Sequence, residues 1–293
     1  MVAFGADVGG TNARTAVVDR STGAVLATAK AVLTDKTVEG VVETLGGLFD
    51  QLSSRFELRA GPVGVAFAGM VRGPMVVNAP NFGWRDVDLG SVLARRVKRP
   101  IRLVNDLSAA AWGELKAGAA RGANETFTVF VGTGVGSAVV VRGALVSGAT
   151  DVAGEFGHIK VVEEGGRPCG CGQFGCLEAY MGGANLERWM REVGVVGSLA
   201  DLERLALSGD ALAKPLYDFA VGHLALAVAN QVTVLNPAVV VLGGGVLERN
   251  PGMVQRIVDV VRRRACVPAQ AGLAVRMAEL GDDSGIVGAA LLE

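Results

Sequence analysis

Three of the four cysteines and one of the two histidines in this 293-residue chain fall in one stretch, GEFGHIKVVEEGGRPCGCGQFGCLE, from Gly154 to Glu178. Cys169, Cys171 and Cys176 read C-x-C-x4-C, and His158 precedes them. Three thiolates and an imidazole complete a tetrahedral Zn²⁺ shell of the Cys₃His type. Gly165, Gly166, Gly170, Gly172 and Gly175 let the chain wrap tightly around an ion. Four protein ligands leave no position for water, so a structural zinc is expected rather than a hydrolytic one. Three buried free thiols beside a surface histidine would be the bland alternative, and their density argues against it. Cys266 stands alone and reads as a core residue. His223, inside a long helical pattern, reads as packed or solvated.

Two glycine turns could do different chemistry. In DVGGT (Asp7–Thr11) a strand runs into paired glycines, whose N–H groups no side chain screens. Such a turn suits phosphate oxygens, and Asp7 beside it could orient a hydrated Mg²⁺. The alternative is an ordinary hairpin. A Walker A loop is excluded because no Gly-Lys-Ser/Thr follows. VGTGVGS (Val131–Ser137) offers a second turn. It lacks G-x-G-x-x-G and is followed by a strand, which excludes a dinucleotide fingerprint. In VNDLSAA (Val104–Ala110), Asp106 sits at a strand end before a helix, where open α/β folds place functional groups. From the dipeptide alone a helix N-cap is the better reading. LGGGV (Leu242–Val246) could admit a flat base or ribose, or could simply join a strand to a helix.

The elements that must hold these residues follow from the pattern. Half the residues are hydrophobic and 19% are charged, so a globular chain of two domains, or one large one, is expected. The net charge of −1 gives no footprint for nucleic acid or an anionic membrane. The N-terminus carries no leader pattern and the longest apolar runs are strand-sized, so a cytoplasmic protein without membrane contact is expected. In that compartment clustered cysteines are more often ligands than disulfides. The chain opens with a three-strand meander to Val32. Thr37–Arg55, Leu89–Arg99 and Leu107–Lys116 have helical spacing, and Val63–Phe67 and Ile101–Val104 read as strands.

The second half repeats the plan. Gly10-Thr11 overlays Gly132-Thr133, and AVVDR at Ala16–Arg20 overlays AVVVR at Ala138–Arg142 without a gap. A duplicated domain with one glycine turn per half is expected. Leu177–Met190, Leu199–Leu207, Ala211–Leu235 and Met253–Arg264 read as helices, Ala238–Leu242 as a buried strand, and the small residues of GDDSGIVGAALL as a closely packed last helix.

The order DVGGTN, ND, VGTGVG, GEFGHI, CGCGQFGCLE, NPAVVVLGGGV resembles that of ROK-family sugar kinases over nearly the whole chain, and most of all that of bacterial glucokinases of the ROK type. The resemblance implies an α/β, actin-like (ribonuclease-H-like) ATPase fold of two duplicated lobes flanking a cleft. Residues 1–106 would form the smaller lobe, joined by a last helix at 280–293, and 107–279 the larger. It implies ATP- and Mg²⁺-dependent transfer of a phosphoryl group to a hexose, to O6 of glucose, with Asp106 as general base. Gly69, Asn81, Asn105, Glu155, His158 and Glu178 would hold the sugar. Asp7, Gly9, Gly10, Thr11, Asn12, Thr133 and Gly134 would serve the phosphates, Gly243, Gly244 and Gly245 the adenosine, and His158, Cys169, Cys171 and Cys176 the zinc. His158 could bind zinc through one nitrogen and offer the other to a sugar hydroxyl. A homodimer or homotetramer is implied. Kinases for N-acetylmannosamine, N-acetylglucosamine, mannose or fructose, polyphosphate as donor, and a sugar-sensing repressor are the alternatives. The two turns, Asp106 and the absence of a basic winged-helix segment speak against the last.

Overall fold

The computed structural model describes residues 1–56 and 61–292. Contacts divide it into two compact units. Unit 1 holds Met1–Gly122, Ser147–Ala153 and the chain from Glu279 onward, and unit 2 holds Ala123–Val146 and Gly154–Ala278.

Unit 1 begins with β1 (Val2–Val8), β2 (Asn12–Asp19) and β3 (Val25–Val32), an antiparallel meander. Helix α1 (Val38–Ser53) starts at Thr37, whose hydroxyl accepts the Gly40 N–H, and buries Val41, Val42, Leu45, Leu48, Phe49 and Leu52 on one face. Then come β4 (Val63–Phe67), a hairpin sheet of β5 (Met70–Arg72), β6 (Met75–Ala79) and β7 (Trp84–Val87), helix α2 (Leu89–Val97), β8 (Ile101–Asn105) and α3 (Asp106–Ala117). The main sheet has the order β3-β2-β1-β4-β8, with β1, β4 and β8 parallel.

Unit 2 repeats this plan with β9 (Thr126–Val131), β10 (Val135–Val141) and β11 (Ala144–Leu145). Four helices follow: α4 (Glu178–Met181), α5 (Gly183–Val193), α6 (Leu199–Leu207) and α7 (Ala213–Leu235). The unit closes with β12 (Val239–Gly243), α8 (Gly245–Glu248), α9 (Pro251–Arg264) and β13 (Ala274–Met277). Its sheet order, β11-β10-β9-β12-β13, is that of unit 1 with each strand replaced by its counterpart. The turn after β1 and the turn after β9 therefore occupy equivalent places, as the overlay of Gly10 on Gly132 requires. By length and composition α7 is apolar enough to cross a membrane, with a mean hydropathy of 1.3. It is a core helix instead: Leu216, Ala220, Val221, Leu224 and Val228 are buried with residues of β9, β12 and α9.

The last helix, α10 (Ser284–Ala290), returns to unit 1. It packs so closely on α3 and β4 that a methyl on Gly288 would lie 1.7 Å from the Ala109 carbonyl oxygen, and one on Gly64 1.8 Å from that of Ala289. This contact moves the domain boundary from Asp106 to Gly122, because α3 belongs with α10. Ser147–Ala153 also joins unit 1, where Arg72 pairs with Asp151 at 3.8 Å. The two units are nearly equal in size, against the expectation of a larger second lobe. The hairpin sheet β5–β7 and strand β13 are further additions to the sequence reading. The helix expected over Leu177–Met190 is broken at Gly182. Cys266 is exposed, not a core residue.

Candidate active site

Parallel pairing gathers the unit 1 candidates at one edge. Register puts Val8 beside Phe67 and Phe67 beside Asn105. The residues that follow, Gly9, Ala68 and Asp106, therefore emerge together at the carboxyl ends of β1, β4 and β8, the edge where α/β sheets bind ligands. The Gly9 N–H donates to the Asn12 carbonyl at 3.0 Å and closes the turn, which leaves Thr11 exposed at its tip. A methyl on Gly10 would lie 3.3 Å from Asn81 Cβ, so Asn81, between β6 and β7, sits against this turn.

Asn105, not Asp106, caps α3. Its Oδ1 accepts from the N–H groups of Leu107 (3.0 Å) and Ser108 (3.1 Å). Its Nδ2 donates to the Gly69 carbonyl (3.1 Å) and to Asp106 Oδ1 (3.0 Å). The amide is thus fully used inside the protein, and its work is to aim Asp106 and anchor Gly69. Asp106 is released from capping duty and becomes the first helical residue. Burial, and next the negative charge of Asp7, push the Asp106 carboxyl up to about 6, against the lowering effect of the Leu107 N–H.

Arg14, beside the candidate Asp7, is a residue that sequence reading missed. It donates to Asp7 Oδ2 at 3.0 Å, pairs with Asp283 Oδ1 at 3.2 Å, and bonds the Asp282 carbonyl. A methyl on Gly285 would touch Asp7 Cγ (3.8 Å) and the Asp106 carbonyl oxygen (3.9 Å), so the start of α10 lies against both acidic residues. The available signal was the pair Asp282-Asp283 in GDDSG, noted only for its small neighbours.

In unit 2 the ligand atoms of His158, Cys169, Cys171 and Cys176 all lie within 4.8 Å of one another. Cys171 Sγ is 3.7 Å from Cys176 Sγ, and Cys169 Sγ is 3.6 Å from His158 Nδ1. A zinc tetrahedron with bonds of about 2.3 Å to sulfur and about 2.0 Å to nitrogen has edges of about 3.8 and 3.5 Å, so the residues fit the ion. Burial pushes the Cys169 thiol up to about 12, so its thiolate needs a cation beside it. Lys160, also missed from sequence, donates to Cys176 Sγ at 3.0 Å and offsets thiolate charge. The free imidazole nitrogen of His158, Nε2, is 3.6 Å from Glu155 Oε2. That carboxylate can orient the ring, as such partners do at metal-bound histidines.

Glu178 starts α4 two residues after Cys176. Its Oε2 accepts the Val135 N–H at 2.9 Å, and its Oε1 lies 3.9 Å from Cys169 Sγ. Thr133 is exposed at the tip of the β9–β10 turn. Of the three glycines after β12, Gly243 is buried under Phe130, where a methyl would meet the ring at 2.6 Å. It shapes the strand end, whereas Gly244 and Gly245 are partly open. His223 is packed on Phe219, with ring centroids 4.2 Å apart, and takes no part.

The model of the ROK family matches residues 3–293. The chain belongs to the ROK family. A glucokinase of Halalkalibacterium halodurans is 32% identical over 97% of this chain and 92% of its own. The solved ROK hexokinase of Thermus thermophilus matches with a TM-score of 0.87 at 32% identity, covering 99% of this chain and 97% of the other. A ROK family glucokinase of Streptomyces griseus, solved with glucose and AMPPNP, gives a TM-score of 0.80 at 30% identity over 99% of this chain and 98% of the other. The actin-like ATPase fold of this ROK protein follows from those matches and from the repeated sheet order of its two units.

Proposed function

We propose that this protein is an ATP- and Mg²⁺-dependent glucokinase that phosphorylates O6 of glucose, with Asp106 as general base. Its standing as an ATP-dependent sugar kinase rests on family membership and on full-length likeness to glucokinases. The finer reading is supported above all by Asp106. It is held at the end of β8 by Asn105, beside the Gly9–Gly10 turn, with its pKa raised to about 6. A base in that range is largely ionised at pH 7.5 and still holds a proton well enough to take one in the transition state.

In the step, the hexose O6–H proton passes to the Asp106 carboxylate as the O6–P bond forms. The bond between the γ-phosphorus and the β,γ-bridging oxygen breaks, and ADP leaves with that oxygen. Most of the acceleration comes from alignment and from donors around the moving charge. The turns Gly9–Asn12 and Thr133–Gly134 would supply those donors, and Gly244–Gly245 would receive the nucleoside. Mg²⁺, when bound, neutralises phosphate charge. Arg14 takes Asp7 Oδ2, so Asp7 would serve the ion through Oδ1. Glu155, His158, Glu178 and Asn81 would bind sugar hydroxyls, with Gly69 held at the same edge by Asn105. Zinc, when bound by His158, Cys169, Cys171 and Cys176, would supply rigidity and no reaction step. With Nδ1 toward the thiols, only His158 Nε2 is available to a hydroxyl.

A homodimer or homotetramer in the cytoplasm is part of the same proposal, and light scattering tests the assembly. A kcat/KM panel over glucose, mannose, fructose, N-acetylglucosamine and N-acetylmannosamine, with ATP and polyphosphate as donors, tests the substrate reading. Glucose with ATP should lead. A larger kcat/KM for any other pair would overturn it.

A further inference from the structure

The Gly132–Val135 turn is tied to the starts of α4 and α5 by three hydrogen bonds. Glu178 Oε2 accepts the Val135 N–H at 2.9 Å. The Gly183 N–H donates to the Gly132 carbonyl at 2.8 Å, and the Ala184 N–H to the Thr133 carbonyl at 3.2 Å. These two bonds satisfy first-turn donors of α5 with turn carbonyls. They also explain why the helix breaks at Gly182, whose own N–H bonds the Glu178 carbonyl at 2.9 Å. Asn185 Nδ2 donates to the same Glu178 carbonyl at 3.0 Å and holds its backbone. Space at this contact is fully used. A methyl on Gly134 would lie 2.4 Å from Glu178 Oε2, closer than real Cβ contacts come. Gly134 has an ordinary negative φ, so that collision is the main obstacle to alanine there.

We propose that Glu178 is a positioning residue for the phosphate turn as well as a ligand of the hexose, so that its one carboxylate couples the two substrate sites. The inference rests on the reading that Glu178 binds the sugar. Oε2 is committed to the turn, and Oε1, whose contact with Cys169 Sγ is a long 3.9 Å, is the oxygen left for a hydroxyl. Any shift of the carboxylate on sugar binding pulls on the Val135 N–H, and any shift of the turn on phosphate binding moves the sugar ligand. By linkage, such coupling must be reciprocal.

The test measures binding without turnover on the full-length, zinc-loaded protein. D-glucose and AMPPNP are each titrated by calorimetry into wild type, Gly134→Ala, Glu178→Gln and Glu178→Ala, with thermal unfolding recorded for each. Gly134→Ala lies in the phosphate turn, yet its Kd for glucose in the absence of nucleotide should rise about ten-fold or more, the loss expected for a displaced charge-assisted hydrogen bond. Glu178→Gln keeps an acceptor for Val135. It should weaken glucose while leaving AMPPNP within about two-fold, and Glu178→Ala should weaken both. An unchanged glucose Kd in a folded Gly134→Ala variant, or an AMPPNP Kd in Glu178→Ala equal to that in Glu178→Gln, would overturn the coupling. Failure of the wild type to bind glucose would instead overturn the substrate reading, so the two failures are distinguishable.

Discussion

Replacing Asp106 with Asn should remove activity and raise stability, and both effects have the same origin. Asp106 Oδ1 accepts from Asn105 Nδ2 and from the Leu107 N–H, each at 3.0 Å, and an Asn side chain keeps that oxygen. What disappears is a charge that the fold disfavours, since burial and Asp7 raise the pKa from 3.8 to about 6. The folded protein therefore binds this proton more tightly than the unfolded chain. Stability from this group is greatest below pH 3.8, falls as pH rises through the window to about 6, and stays low above it. A shift of about two units at about 1.4 kcal/mol each gives a penalty of about 3 kcal/mol at neutral pH. That is an upper bound, because Asp106 is partly accessible. Asn carries no such penalty. Urea unfolding of wild type and variant from pH 4 to pH 8 isolates the effect, because the titrations of groups not coupled to Asp106 cancel in the difference. The variant's advantage should be near zero at pH 4 and reach about 1–3 kcal/mol at pH 7. Turnover should fall about 10²–10⁴-fold, the usual worth of a general base. A stability difference that does not grow with pH would refute the buried-charge argument, and near wild-type kcat would refute the base assignment.

The same pKa sets the acid limb of the reaction. In wild type kcat/KM should fall about ten-fold per pH unit below about 6. Asp7→Asn should move that limb to lower pH, because the Asp7 charge helps to raise the Asp106 pKa; a limb that stays put would remove Asp7 from the account. Metal analysis should find one zinc per chain, and Cys171→Ser should lose it and weaken glucose about ten-fold or more. Full zinc retention by that variant would break the four-ligand assignment. Gly288→Ala puts a methyl against the Ala109 carbonyl and should cost about 1–3 kcal/mol in denaturant unfolding, as overpacking does; an unchanged midpoint would deny the tight α3–α10 contact.

Sequence reading went furthest where spacing alone carries the chemistry. C-x-C-x4-C with an upstream histidine needs no tertiary information beyond a compact loop, and the structure brings those four ligands together. The duplication was legible because identical residues fell at identical strand positions, and the sheet orders bear it out. The domain boundary was not legible. It depends on α3 packing against a helix at the far end of the chain, and small residues such as Gly113 and Gly288 announce close packing without naming the partner. The cap at α3 was read onto the wrong neighbour, since Asn and Asp are both good caps and adjacent here. Arg14 and Lys160 were missed for a related reason: the pairing of β1 with β2 sets Asp7 opposite Arg14, the return of the chain end brings Asp283 to it, and a bridge within the Gly154–Glu178 loop brings Cys176 to Lys160.

The break at Gly182 shows how far local pattern can mislead and why. The run from Leu177 to Met190 has enough helix formers to read as one helix, and an uninterrupted helix there would satisfy its own backbone. The chain instead gives up part of that ladder so that Gly183 and Ala184 can donate to Gly132 and Thr133. Such an exchange leaves the hydrogen-bond count nearly even but moves the bonds from within an element to between two elements. Its effect is to hold Glu178, the residue after Cys176 and Leu177, at a fixed distance from the β9–β10 turn. A metal bound at Cys176 would then hold the turn as well, through Glu178 Oε2 and the Val135 N–H. Loss of zinc should therefore weaken the nucleotide along with the sugar even while unit 2 stays folded, so equal loss of both ligands is not by itself a sign of unfolding. Thermal unfolding of the zinc-depleted protein, measured beside the two Kd values, separates the cases: a cooperative transition with both affinities reduced supports the linkage, and retention of full AMPPNP affinity by folded, zinc-free protein contradicts it.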